Sequence, residues 1–350
     1  MIIEPPELLT PGAYLSLSRK LLENPGDRRP LRLSLLSSNS FSFLEPYLVV
    51  ECARRGLAAA PVCGAFGQLE QAILDDSSST VSSDTEVVVI ALRIEDVFDD
   101  VYLRADSKAL QEAAQQCIDR LEQCVNLARA RSDARVLVAN FSLPSAAVSA
   151  NPFGASLADG SAHIVARANV ELAERMADRP DVCVWDYDGL VASRGVAQWT
   201  DPRLWYLARQ PIAGAHLPFA AAHLARSIAG TTFERAKCLV LDLDNTLWGG
   251  AAGDDGIEGI DIGDDYPGSV FKQFQHAVAG LGRRGVLLAI ASKNDEAPVR
   301  EIFDKHPDLV LRWDDFSARR INWDSKSANL KAIASELNIG LDALVLFDDN

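Results

Sequence analysis

Residues 237–250, KCLVLDLDNTLWGG, decide the fold of the C-terminal part of this chain. The aliphatic and β-branched run at 238–243 predicts a buried strand. This strand ends in two aspartates two positions apart, Asp242 and Asp244. Ligands of open α/β sheets bind at the carboxyl ends of the strands. We therefore expect both carboxylates to lie at a sheet edge that a ligand can reach.

Polar residues follow the later strands of the C-terminal part as well. The next strong strand pattern is followed by Ser292, and the last one by Asp348 and Asp349. Lys326 opens a predicted helix. Because the carboxyl ends of parallel strands share one edge of the sheet, these side chains are expected to converge on Asp242.

Strand patterns alternate with helix patterns along the chain, which predicts an α/β fold built from parallel βαβ units. In the N-terminal half the predicted strands are 31–36, 87–92, 135–139 and 182–185, and the predicted helices are 46–55, 106–131, 162–176 and 214–228. In the C-terminal half the strands are 238–243, 286–291, 309–312 and 343–347, and the helices are 268–284, 296–305 and 326–337. The run AGTT at 229–232 predicts a boundary between two domains, 1–230 and 231–350.

The composition is that of a globular protein and argues against several classes of function. Of the 350 residues, 48% are hydrophobic and 24% are charged, and the formal net charge is −15. Nucleic acids and anionic membranes are not expected as main partners, because this charge would repel both. The sequence contains neither a signal-peptide pattern nor an apolar run of the roughly 18 residues that a membrane span needs. Six cysteines without a C-x-x-C pair are typical of a reduced, cytoplasmic protein.

These residue types suit phosphoryl transfer. A carboxylate can attack phosphorus and form an aspartyl-phosphate, which divides one difficult step into two. The negative charge that gathers there calls for Mg²⁺ on carboxylate oxygens and for a lysine. A hydroxyl can hold a phosphoryl oxygen, and a second carboxylate can protonate the leaving oxygen. A D-x-D motif after a strand is by itself a weak signal of catalysis. The same motif followed in order by Ser292, Lys326 and the pair Asp348–Asp349 is a strong one.

The order of these motifs resembles that of the haloacid dehalogenase (HAD) superfamily. More narrowly, the stretches DLDNTLWGG, GIEGIDIG, ASKND, INWDSKSANL and LFDDN resemble the FkbH-like subfamily. The resemblance covers residues 237–350 and extends more weakly over the N-terminal half, which is similar to an SGNH-hydrolase-like domain. It implies an α/β protein of two domains, an N-terminal SGNH-like domain with a parallel sheet and a C-terminal Rossmann-like HAD domain.

The resemblance also implies a role for each residue at a matching position. Asp242 would be the nucleophile, and Asp244 would be the general acid and base. Mg²⁺ would be held by Asp242, Asp244 (through its backbone carbonyl), Asp348 and Asp349. The phosphoryl group would be bound by Ser292, Lys326, Asn245 and Thr246.

FkbH-like proteins take the glyceryl unit of 1,3-bisphosphoglycerate, remove its phosphate and load it onto an acyl carrier protein in polyketide pathways. The resemblance implies this function for the present chain. Docking of an acidic carrier would need a basic face, for which the arginine pairs at 283–284 and 319–320 are candidates. The chain departs from the family at Ala291, where FkbH-like sequences commonly have a cysteine. The family pattern also predicts that the HAD domain continues beyond Asn350.

Two other functions remain open for the C-terminal part. A small-molecule phosphatase would use the same residues and ignore a carrier protein, whereas a binding or scaffold module would keep the fold without catalysis. The acidic stretch at 254–265 does not match the spacing of an EF-hand. It is expected to form a flap over the phosphate site, hinged at Gly249 and Gly250.

The N-terminal half contains residue types of a Ser-His-Asp hydrolase, but their pattern is incomplete. Ser37, Ser38 and Ser40 follow a predicted strand, which is a position typical of a nucleophile. His163 and His216 have no obvious carboxylate partner in the sequence, and a triad is defined by geometry. The sequence therefore favours a docking or scaffolding role for this half.

Overall fold

The computed structural model describes residues 8–65, 67–75, 80–94, 107–143, 156–234 and 236–349. The chain divides into two compact units, Met1–Phe233 and Glu234–Asn350. The residues at 229–232, where the sequence places the boundary, form the last turn of a helix instead. Within the described ranges, no helix is both long and apolar enough to cross a membrane.

A parallel sheet of five strands, in the order β2-β1-β3-β4-β5, lies at the centre of the N-terminal unit. Alternate residues of β3 (Val87–Ala91) belong to two different hydrophobic clusters, with Val88 and Ile90 in one and Val89 in the other. This two-sided burial is expected of a parallel sheet that helices cover on both faces. The other strands are β1 (Arg29–Ser37), β2 (Leu57–Cys63), β4 (Arg135–Ala139) and β5 (Val182–Trp185).

The helices of this unit include several that the sequence did not predict, among them the first. They are α1 (Pro11–Glu23), α2 (Glu45–Ala53), α3 (Leu69–Leu74), α4 (Ser107–Arg131), α5 (Ser161–Ala177), α6 (Tyr187–Arg194), α7 (Val196–Trp199), α8 (Pro202–Ala208) and α9 (Leu217–Thr232). Short 3₁₀ turns occur at Ser42–Leu44 and Gly214–His216. Position 106, the first predicted residue of α4, lies outside the described residues.

The C-terminal unit is built on a second parallel sheet of four strands, in the order β8-β7-β6-β9. The strands are β6 (Cys238–Leu241), β7 (Leu287–Ser292), β8 (Ala318–Ile321) and β9 (Leu344–Phe347), and the helices are α10 (Ala252–Gly259), α11 (Gly268–Arg283), α12 (Glu296–Lys305) and α13 (Lys326–Glu336). Two further 3₁₀ turns occur at Trp313–Asp315 and Leu341–Ala343. The carboxyl ends of all four strands therefore lie at one edge.

The strand predicted at 309–312 is wrong, and a buried side chain explains why. Gln275 of α11 is fully buried, and its Oε1 accepts hydrogen bonds from the backbone N–H groups of Val310 (3.0 Å) and Leu311 (3.1 Å). A glutamine side chain thus takes the donors that a strand would use in its ladder. The fourth strand of the sheet is β8, whose residues ARRI lack the apolar run that marks a strand.

We predict that Gln275→Leu lowers the free energy of unfolding of the C-terminal unit by about 3 kcal/mol, because buried backbone groups lose their partners. Besides Val310 and Leu311, the carbonyl of Leu247 loses the bond that Gln275 Nε2 donates at 2.8 Å. Calorimetry of the full chain would show this as a lower transition temperature. Gln273→Leu on the exposed side of the same helix is the control, with an effect within about 0.5 kcal/mol. Equal transition temperatures for the two variants would contradict the prediction.

Candidate active site in the C-terminal unit

The register of two neighbouring strands brings the first pair of carboxylates together. Leu241 at the end of β6 pairs with Phe347 at the end of β9, and the N–H of Asp242 donates to the Phe347 carbonyl at 3.0 Å. Asp242 and Asp348 directly follow these two paired residues. Their side chains therefore lie side by side at the same edge of the sheet. Asp242 is buried, and its Oδ1 accepts a hydrogen bond from the N–H of Leu243 at 2.8 Å.

Lys326 links these two carboxylates. It is the first residue of α13, whose preceding residue Ser325 caps the helix by accepting from the N–H of Ala328 at 3.3 Å. The Lys326 ammonium donates to Oδ2 of both Asp242 and Asp348. Partial burial alone would lower the pKa of Lys326, but the bonds to the two carboxylates outweigh it and the pKa is raised. Lys326 is therefore a cation at neutral pH.

Three carboxylates form a group that could hold a divalent ion. Oxygens of Asp242, Asp348 and Asp349 all lie within 4.8 Å of one another. Asp242 is buried, Asp348 is slightly exposed and Asp349 is exposed, so the group reaches from the sheet edge to solvent. Carboxylate oxygens are the hard ligands that Mg²⁺ prefers, and the residues present therefore fit this ion. The side chain of Asp244, the other predicted metal ligand, is not in the group.

Asp244 has its own set of hydrogen-bond donors. Its Oδ1 accepts from the indole Nε1 of Trp248 at 3.0 Å and from the N–H of Ala252 at 3.0 Å. Its Oδ2 accepts from Nδ2 of Asn294 at 2.8 Å. Trp248 and Ala252 are almost fully buried and Asn294 is 4% exposed, so all three donors are fixed by packing. The Asp244 carboxylate is thereby held in one orientation.

The turn after Asp244 separates two residues that the sequence placed together. Asn245 adopts a left-handed conformation (φ 52°), and its Oδ1 accepts from the N–H of Gly250 at 3.0 Å. Asn245 lines the cavity, whereas Thr246 is 4% exposed and does not line it. Within the described residues, Thr246 Oγ1 has no hydrogen-bond partner. The structure thus does not bring Thr246 to the predicted phosphate site, because the tight turn, in which the Leu247 N–H donates to the Leu243 carbonyl at 2.7 Å, leaves it buried.

A cavity of about 540 Å³ joins most of the predicted residues at the sheet edge. Ser292, the last residue of β7, is 2% exposed and lies at this cavity. Sequence reasoning missed two of the residues that line it and both side chains that hold Asp244. Asn294 lies two residues beyond Ser292 within the motif ASKND, which was a usable signal, whereas nothing in the sequence marks Trp248 as a donor. The cavity is lined by Asp242, Asp244, Asn245, Ala251, Ser292, Lys293, Lys326, Asp348 and Asp349.

The segment predicted to be a flap leaves the site through a tight glycine turn. Gly249 and Asp261 exchange two backbone hydrogen bonds of 3.0 and 2.8 Å, which close the base of the segment. A Cβ on Gly249 would lie 2.9 Å from both Asp261 Cβ and Phe271 Cε2, so this close approach requires glycine. Gly250 has a φ of 87°, which also favours glycine. Helix α10, with a break at Gly256, occupies the segment between these ends.

The N-terminal candidates do not form a triad within the described residues. Ser38 is buried, and its Oγ accepts from the N–H of Arg93 at 3.2 Å. His216 stacks on Trp199, and its Nδ1 is buried without a hydrogen-bond partner in the described part of the chain. Burial and the nearby Arg194 lower the pKa of His216. A carboxylate that would orient this imidazole as a general base is therefore not among the described residues.

The fold and the site define an α/β protein with a carboxylate–lysine cluster at the strand ends of its C-terminal unit. The chain belongs to the family described as "FkbH, N-terminal domain", whose profile it matches over residues 32–229. The match covers more than half of the 350 residues. It lies within the N-terminal unit and thus supports the resemblance independently of the C-terminal motifs.

The chain is also similar to a crystal structure of the N-terminal part of BF1531 from Bacteroides fragilis, which contains a phosphatase domain and is complexed with Mg. The two chains are 25% identical, with a TM-score of 0.81, over 98% of this chain and 89% of that one. This similarity covers residues of both units.

Two lipid hydrolases are much less similar. Phospholipase A1 from Streptomyces albidoflavus NA297 is 14% identical with a TM-score of 0.38, over 58% of this chain and 99% of that one. A lipase/acylhydrolase from Enterococcus faecalis is 14% identical with a TM-score of 0.35, over 58% of this chain and 96% of that one. Similarities this low carry no argument about function. No curated protein matches the chain.

Proposed function

We propose that this chain is a Mg²⁺-dependent phosphatase of the HAD type, acting through its C-terminal unit in the cytoplasm. The N-terminal unit is then an SGNH-like domain with a docking or scaffolding role. The observation that carries the proposal is the Lys326 ammonium, which bridges Asp242 and Asp348 at the edge of a parallel sheet. Such a cluster combines a nucleophile, a cation and oxygen ligands in one cavity with the Ser292 hydroxyl.

The reaction would proceed in two balanced steps. In the first, an Asp242 oxygen bonds to phosphorus while the bond from phosphorus to the leaving oxygen breaks, and Asp244 gives its proton to that oxygen. In the second, water attacks the phosphorus of the aspartyl-phosphate and Asp244 takes the proton. Inorganic phosphate leaves and Asp242 is restored. Ser292 would hold a phosphoryl oxygen, and Lys326 would balance its charge.

Mg²⁺ bound by Asp242, Asp348 and Asp349 would supply charge neutralisation to the phosphoryl oxygens. The crystal structure from Bacteroides fragilis, which is complexed with Mg, supports Mg²⁺ as the ion. The four carboxylates that line the cavity make such a counter-charge necessary, because among its described lining residues only Lys293 and Lys326 offer positive charge to an anionic ester.

The finer proposal concerns the substrate. We propose that the chain acts on 1,3-bisphosphoglycerate and an acyl carrier protein, as the family resemblance implies. The carrier thiol attacks the acyl carbon, a C–S bond forms, the bond to the 1-phosphate breaks and the thiol proton passes to solvent. The remaining phosphate ester is hydrolysed on Asp242. The product is a glyceryl thioester on the carrier.

Two observations favour the alternative of a phosphatase without a carrier protein. Among the described residues no cysteine lines the cavity, and burial raises the pKa of the Cys238 thiol, at the opposite end of β6, to about 11. The predicted docking pair at 319–320 is used within the unit, because Arg319 donates to the Trp313 carbonyl at 2.9 Å and Arg320 pairs with Glu336 at 2.6 Å. A basic docking face would therefore have to use the exposed pair at 283–284.

A single incubation distinguishes these functions. The full chain, Mg²⁺, 1,3-bisphosphoglycerate and a holo acyl carrier protein are combined, and inorganic phosphate and the intact mass of the carrier are measured. We expect a mass gain equal to glyceryl without phosphate, and with EDTA no hydrolysis of the 3-phosphate ester, so that any mass gain then equals phosphoglyceryl. Phosphate release without a mass gain would contradict carrier loading and favour a phosphatase that acts without a carrier protein. Neither product would contradict both enzyme functions and favour a binding module.

A further inference from the structure

The two oxygens of the Asp244 carboxylate are not equivalent. A carboxylate oxygen offers about two acceptor sites. Both sites of Oδ1 are taken, by the Trp248 indole and by the N–H of Ala252. Among the residues that the structure describes, Oδ2 accepts a single bond, from Asn294. With respect to these residues, one acceptor site remains on Asp244, and it lies on the oxygen to which Asn294 donates.

We propose that Asn294 is a positioning residue, which aims Asp244 Oδ2 at the oxygen that leaves phosphorus. This inference rests on the proposed phosphatase function. Proton transfer in the first step then runs from Asp244 Oδ2 to the leaving oxygen as the P–O bond breaks. In the second step a proton of the attacking water returns to Oδ2. Asn294 itself exchanges no proton with the substrate.

The chain arrangement supports this role. Ser292, which ends β7 in the cavity, and Asn294 are separated by one residue. The loop after β7 would thus bind the phosphoryl group through Ser292 and also hold the proton donor Asp244 through Asn294. This loop therefore sets the distance between the phosphoryl group and Asp244. A Cβ on Gly253 in α10 would lie 3.6 Å from Asn294 Oδ1, at ordinary van der Waals distance, so the start of the flap lies beside this amide. An amide suits this position because its Nδ2 always donates, in contrast to a carboxylate.

The dependence on the leaving group tests the proposal. A leaving oxygen of low pKa departs without a proton, whereas an alcohol needs one. We therefore compare kcat/KM for p-nitrophenyl phosphate and for glycerol phosphate, because kcat/KM reports the steps up to departure of the leaving group. In Asn294→Ala, glycerol phosphate is expected to lose about 100-fold and p-nitrophenyl phosphate less than about 5-fold. Asn294→Asp, which keeps the side-chain volume and cannot donate when ionised, should show the same selectivity.

A matched control and the contrary outcomes complete the test. Asn24→Asp, an exposed residue of the N-terminal unit, should leave both substrates unchanged. Equal losses for the two substrates in Asn294→Asp would show a merely structural role and overturn the inference alone. Unchanged kinetics for both substrates would overturn it as well. A wild-type chain that releases phosphate from neither ester would contradict the proposed function and this inference together.

Discussion

Asp242→Asn is expected to reduce phosphate release by roughly 10⁴-fold or more, since the loss of a covalent nucleophile removes the two-step pathway itself. The amide keeps the volume of the side chain but cannot attack phosphorus. It also takes one of the three clustered carboxylates away from the metal group. Release of inorganic phosphate from any accepted ester, measured with saturating Mg²⁺, checks the prediction.

The fold is expected to survive this substitution, which separates chemistry from stability. Lys326 keeps its bond to Asp348 when Asp242 becomes neutral. One of three neighbouring negative charges is removed, so the thermal midpoint in metal-free buffer should stay the same or rise. Asp314→Asn, at an exposed position of the same unit, is the control and should keep full activity. Wild-type turnover in Asp242→Asn would exclude Asp242 as the nucleophile.

Most residues of the candidate site could be predicted from the sequence, because the end of a strand is marked by a local sequence pattern. The apolar run before Asp242 and the one before Asp348 each mark a strand, and a parallel sheet needs only those ends to form one edge. The structure pairs Leu241 with Phe347, which carries both aspartates to the same place. Lys326 was found only from motif order, since a lysine at a helix start is otherwise typical of a surface.

Two of the failures have a different cause, which is side-chain hydrogen bonding over long sequence distances. Residues at 309–312 have strand-like composition, but Gln275 takes their backbone donors. Asn294 donates to Asp244 across 50 positions of sequence, and although the motif ASKND marks Asn294 as part of the site, it does not identify Asp244 as its partner. Strand β2, LAAAPVC, was missed because alanine and proline disfavour strands, although its register with β1 overrides that preference.

Lys326→Gln is the second substitution with a large expected effect, and it acts on both activity and stability. The variant leaves Asp242 and Asp348 without their shared cation, although each side chain is only 11% exposed. Removing one partner of a largely buried ion pair destabilises strongly, so the unfolding free energy should fall by about 2–3 kcal/mol in metal-free buffer. Turnover should fall by about 100-fold, because a fixed cation beside the reacting phosphoryl group is lost.

The response to Mg²⁺ separates this explanation from a general loss of packing. A divalent ion bound by Asp242, Asp348 and Asp349 would relieve the repulsion that the lost ammonium leaves behind. The rise in thermal midpoint on adding Mg²⁺ should therefore be larger in Lys326→Gln than in the wild type, while turnover remains low. Lys331→Gln, five residues along the same helix and exposed, should match the wild type in both measurements. If Lys326→Gln gains no more from Mg²⁺ than the wild type does, the ammonium and the metal do not share these carboxylates, and the charge-balancing role of Lys326 is wrong.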